Sequence, residues 1–81
     1  MKELTKHIDK IHTTPLGAVR IKKNLGIETD NVIEWCKTMI NNAKNTIKKG
    51  KNWYVYTDDV ILTVNAHSYT IITAHKNVSL T

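Results

Sequence analysis

The sequence predicts an α+β protein, with about three N-terminal helices packed on one face of a C-terminal three-stranded antiparallel meander. Three observations carry this. Apolar residues recur at helical spacing as far as Ile47, the pattern changes to period two after Gly50, and capping or turn residues stand at the junctions. The 81 residues suit one domain over 1–81, helical over 1–50 and sheet over 51–76, with a tail, 77–81, whose lack of pattern predicts fraying.

Leu4, Ile8 and Ile11 share one helical face, so residues 2–11 read as a short amphipathic helix. Thr13-Thr14-Pro15 restarts the chain, because a threonine hydroxyl can cap a helix whose first position is held by proline. The second helix then runs over 15–25 and ends at Gly26, a residue suited to the left-handed conformation. Thr29-Asp30-Asn31 forms another capping cluster. Beyond it Val32, Cys36, Met39, Ile40, Ala43 and Ile47 keep helical spacing, with Lys48 and Lys49 at the negative end of the dipole and Gly50 as terminator. Cys36 lies on the apolar stripe and reads as a buried small hydrophobe.

Strands are expected over 53–57, 60–66 and 69–75, the first two joined at Asp58-Asp59. That turn sets Trp53 opposite Val64 and Val55 opposite Leu62 on a core face, leaving Tyr54, Tyr56, Ile61, Thr63 and Asn65 on the other. For the third strand the favoured register buries Thr70, Ile72 and Ala74 and turns Tyr69, Ile71, Thr73 and His75 outward. The opposite register buries the second set, and apolar content alone does not decide between them.

Composition excludes several classes. An apolar fraction of 41% argues against disorder, and one cysteine permits neither an internal disulfide nor a paired-cysteine zinc site. No window approaches the ~18 apolar residues of a membrane span, so a cytoplasmic protein without membrane contact is expected. No phosphate-binding glycine loop, HExxH or carboxylate cluster is present, so neither a metal nor a cofactor is expected. Residues 1–52 carry eleven Lys or Arg against five acids, whereas 53–81 carry one against two. A basic half of this kind suits a polyanion such as RNA, and equally suits ordinary solvated helix faces.

Metal-independent cleavage of RNA needs a base, an acid and cations around the reacting phosphate, and histidine, with a reference pKa of about 6.5, serves as either. The catalytic candidates are His75, His12, Thr73 and Arg20; the binding candidates are Lys51, Tyr54, Tyr56, Asn65 and Tyr69. Tyrosines beside Lys48-Lys49-Gly50-Lys51 can stack bases of RNA or a nucleotide-like ligand, or form a surface for a protein partner or a second copy of the chain.

The run Ile11-His12-Thr13-Thr14-Pro15-Leu16-Gly17, the block Gly50-Lys51-Asn52-Trp53-Tyr54-Val55 and the closing Thr63-Val64-Asn65-Ala66-His67-Ser68-Tyr69-Thr70-Ile71-Ile72-Thr73-Ala74-His75-Lys76 resemble the small bacterial and prophage family catalogued as domain of unknown function 3781. That family name implies no activity. More distantly, helices followed by a sheet ending in Thr-x-His look like the barnase, colicin D and RelE type of metal-independent ribonuclease. This likeness implies RNA cleavage with Thr73 and His75 on the sheet and His12, Arg20 or Lys51 supplied by the helical side. The alternative reading is a binding module or inhibitor encoded by phage or prophage, working through the tyrosine face as a monomer or a homo-oligomer.

Overall fold

The computed structural model describes residues 3–77; residue 2 of the first expected helix and 78–81 of the expected tail lie outside the described residues. Three helices, α1 (Glu3–Lys6), α2 (Pro15–Leu25) and α3 (Val32–Asn41), precede a four-stranded antiparallel sheet of β1 (Asn45–Lys49), β2 (Asn52–Tyr56), β3 (Val60–Asn65) and β4 (Ile71–Lys76), in the order β1-β2-β3-β4. A single 3-10 turn, Ile8–Lys10, follows α1, so the first amphipathic stretch is interrupted at His7 rather than forming one helix. Leu4 and Ile11 are nonetheless both buried, as their spacing required.

Local chemistry sets the bounds of α2. The Thr14 hydroxyl accepts the Gly17 N–H at 3.0 Å, Pro15 occupies the first helical position, and Gly26 closes the helix at φ 64°. At the start of α3 the Asn31 carboxamide accepts the Glu34 N–H at 3.1 Å. The sequence expectation fails at the other end of this helix. It stops at Asn41, and residues 45–49 form a fourth strand, where three strands and a helical segment reaching residue 50 were expected. Asn41-Asn42 disfavours helix, and Asn45-Thr46-Ile47 brings β-branched residues that favour a strand. Gly50 keeps its left-handed conformation, φ 65°, but uses it in the two-residue loop between paired Lys49 and Asn52.

The core lies between the helices and one sheet face. Leu4, Ile11, Ile21, Leu25, Val32, Cys36, Ile40 and Ala43 meet Val55, Val60, Leu62, Val64, Ile71 and Ala74. The β2–β3 hairpin has the register expected of the Asp58-Asp59 loop, with Trp53 opposite Val64 and Val55 opposite Leu62. The β4 register is mixed. Thr73 pairs with Thr63 and His75 with Ile61, both on the outer face, but a bulge at Thr63/Val64 sets Ile71 opposite Val64. Ile71 is therefore buried and Ile72 is 51% exposed, the reverse of the favoured assignment. Thr70 also leaves the core and is half-buried at the strand's start.

The free edge of β4 is partly covered, chiefly at its start. His12 forms a parallel bridge with Thr70, its N–H donating to Tyr69 O (3.1 Å) and its carbonyl accepting from Ile71 N (2.8 Å). Beyond that bridge the Thr13 hydroxyl donates to Ile71 O and the Asn24 amide to Ala74 O, each at 3.3 Å.

Candidate functional site: the outer face of the sheet

Pairing across four strands orders the outer face into rows. Asn45, Tyr56, Ile61 and His75 form one; Ile47, Tyr54, Thr63 and Thr73 form the next; Lys49, Asn52 and Asn65 form a third. Side chains alternate along a strand, so neighbouring rows stand about 7 Å apart and the Tyr54 and Tyr56 side chains emerge side by side on the same face. Of these positions only Thr63 is buried, in the row between Tyr54 and Thr73; the others are half-buried or exposed. None of the eleven carries a carboxylate. The acids of the adjoining loop are Asp58 and Asp59, and Asp58 is held by Lys44 at 2.8 Å. That hydrogen bond and the attendant attraction hold the Lys44 pKa above its ordinary value.

Several expected site residues lie elsewhere. Tyr69 adopts φ 59°, a left-handed conformation unusual for a residue with a side chain, and packs on the helical side. Its ring centroid lies 5.2 Å from that of His7 and 5.8 Å from the Lys10 ammonium, so it does not join Tyr54 and Tyr56. Asn65 is on the outer face, but its carboxamide oxygen accepts the N–H groups of His67 (2.8 Å) and Ser68 (2.9 Å) and shapes the β3–β4 turn. Lys51 sits in the β1–β2 loop, its carbonyl accepting from Ala66 N at 2.7 Å.

His12 and His75 mark opposite ends of β4. His12 is tied to Thr70, five residues before His75, which at the rise of a strand separates the two backbone positions by roughly 15 Å. Arg20 lies between them, lining one groove with Asn24, Ile72 and Thr73 and an adjoining one with Thr14, Thr70 and Ile71, both between α2 and β4. Thr73 therefore has His75 two residues away along its strand and Arg20 beside its edge, while His12 stays with a different set of partners.

Those partners were not singled out by the sequence. The Lys10 carbonyl lies 2.9 Å from His12 Nδ1, which must donate, so in the neutral ring Nε2 accepts from the Thr70 hydroxyl at 3.0 Å. The Ser68 hydroxyl lies 2.8 Å from that of Thr70 and 3.3 Å from the Asn65 carboxamide oxygen. This polar chain fastens the His12 segment to the start of β4. The Asn-x-x-Ser spacing of Asn65 and Ser68 is the signal of the turn; nothing local joins it to a histidine more than fifty residues earlier.

Among the described residues no group of three or more His, Cys, Asp or Glu side chains could hold a metal ion, and no helix is long and apolar enough to cross a membrane. The model of a family described as protein of unknown function, DUF3781, matches residues 5–75. The chain belongs to this family. No curated protein and no solved structure matches it, and the comparisons give no support to the likeness to barnase, colicin D and RelE ribonucleases. The DUF3781 match takes in the outer face rows, Arg20 and both histidines, so the whole candidate surface lies within the family's bounds.

Proposed function

We propose that this protein binds single-stranded RNA on the outer face of its sheet. The observation that carries the reading is the acid-free face: two tyrosines in adjacent rows, Thr, Asn and His side chains around them, and Lys49 and Lys51 at one end. Aromatic plates stack splayed bases whatever their sequence, and cations at the rim follow the phosphates. Binding, rather than cleavage by a histidine pair, is the activity this geometry favours. The His12 ring is held at the start of β4 by Lys10 O and Thr70, whereas His75 lies near the strand's other end, an arrangement that does not set the pair on one phosphodiester as acid and base.

Fluorescence anisotropy with a labelled single-stranded RNA tests the proposal. Each of Tyr54→Ala and Tyr56→Ala should weaken binding by about 5- to 150-fold, the worth of roughly 1–3 kcal/mol per stacked base. Added salt should weaken the wild-type protein steeply. The same RNA incubated in EDTA should stay intact. Failure of the wild-type protein to bind at low salt, or tyrosine variants that bind as it does, would overturn the proposal.

A second reading rests on Ile47 and Ile72, which are 44% and 51% exposed. Ile47 stands opposite Tyr54 and Ile72 lies on the edge strand β4, and apolar residues at this exposure suit a protein interface. In that case RNA leaves the protein unchanged, and Tyr56→Glu converts a self-associated species to monomer in size-exclusion chromatography.

A further inference from the structure

The two edges of the sheet differ, and the difference singles out β1. While β4 is partly covered by His12, Thr13 and Asn24, β1 is the outermost strand at the other side, and beyond β2 no described element pairs with it. The direction of its free backbone groups follows from one hydrogen bond. Thr57 N donates to Val60 O at 2.9 Å, directly across the β2–β3 turn, so Val55 and Trp53 at alternate positions also exchange bonds with β3. Asn52, Tyr54 and Tyr56 then turn their N–H and C=O groups toward Lys49, Ile47 and Asn45 of β1. The residues of β1 left facing outward are Thr46 and Lys48. Each presents one donor and one acceptor, spaced to take an added strand.

Two further observations mark this edge. The Thr46 hydroxyl is buried and has no hydrogen-bond partner among the described residues, although Thr46 faces the helices beside the open backbone. Lys44, Lys48, Lys49 and Lys51 are all exposed along the strand and its following loop. Pairing two β1 strands would bring both sets of lysines together, which is how natural sheets prevent association edge to edge. The same charges favour an acidic strand.

The geometry points to β1 as a docking edge for an extended acidic segment of a protein partner, added as a fifth strand. Its backbone pairs with Thr46 and Lys48, acidic side chains lie opposite Lys48 and Lys49, and a small polar residue opposite Thr46 meets the unpartnered hydroxyl. Recognition of this kind takes affinity from main-chain hydrogen bonds and selectivity from alternate side chains. It shares Lys49 with the rim of the outer face, but its backbone pairing does not rest on what that face binds.

The probe is an acetylated, amidated hexapeptide, Glu-Glu-Val-Thr-Val-Thr, titrated to about millimolar into the full chain and followed by amide NMR. Chemical shifts should move along 44–49, and exchange of the Thr46 and Lys48 amides with solvent should slow. The counterpart beginning Lys-Lys should bind at least about fivefold more weakly, as expected of two exposed ion pairs replaced by repulsion. Thr46→Pro removes an outward donor without touching the ladder to β2 and should abolish binding. If that variant loses its native spectrum, the double change Lys48→Glu and Lys49→Glu serves instead and should reverse the preference between peptides. The inference is overturned if neither peptide perturbs 44–49, if both bind equally, if the shifts fall on Tyr54 and Tyr56, or if the two amides are protected by self-association without peptide.

Discussion

Cys36 offers a quantitative test of how the helices close on the sheet. Its side chain is fully buried on the stripe that α3 turns to the core, and burial pushes its thiol from 9.0 up to about 12. The folded protein therefore keeps its proton at pH values where the unfolded chain has lost it. A native pKa above the unfolded one contributes stability that is complete below about pH 9 and disappears as the pH rises toward about 12. Across that window the loss runs at about 1.4 kcal/mol per pH unit, or at most about 4 kcal/mol in all. A chain of this length has roughly 4–12 kcal/mol of stability, so the effect is a large share of the whole. The assay is urea unfolding of the wild type and Cys36→Ala side by side. Every other ionisable group is common to both, so the difference between the two proteins isolates the thiol. The stability of the wild type relative to the alanine variant should be constant up to about pH 8 and then fall at the stated slope. A difference that stays level through about pH 11, or a thiol that reacts with Ellman's reagent in the native protein as fast as a free one, would refute the buried placement.

Three other substitutions probe the frame. Leu62→Ala, at a fully buried site on β3, should cost about 2–5 kcal/mol and lower the melting temperature by roughly 10 °C or more, read by circular dichroism. Gly17→Ala would drive its new methyl into the Thr13 hydroxyl, which itself donates to Ile71 O; a loss of about 1–3 kcal/mol is expected, largely restored by adding Thr13→Ala. At Gly50 the neighbouring space is open but φ is +65°, so Gly50→Val should cost about 1–2 kcal/mol through backbone strain alone, and Gly50→Asn distinctly less.

Much of this molecule was legible where the signal is local. The Thr14, Pro15 and Gly26 set defines α2 because each acts on its own backbone, and the Asp58-Asp59 loop fixes the β2–β3 register because so short a turn leaves the strands no slack. Errors arose where one pattern serves two structures. Ile47 falls at a helical offset from Val32, yet it also lies within a strand, and Gly50 takes the same φ whether it ends a helix or turns a hairpin. The bulge at Ile72 and the left-handed Tyr69 flank the bridge to His12 at the sheet's edge, and no window of neighbouring residues reports that contact. The candidate site followed suit. Tyr54, Tyr56, Thr63, Thr73 and His75 were placed together by alternation alone, whereas Tyr69 and His12 depended on tertiary contacts.

The partial cover over β4 has a consequence for assembly. A sheet with both flanks open can recruit neighbour after neighbour into a fibre. Here one flank is partly occupied by the chain's own N-terminal half, which disfavours growth from that side. A strand that joins β1 still presents an outer edge of its own, and the lysines bias the first addition away from a second copy of the chain.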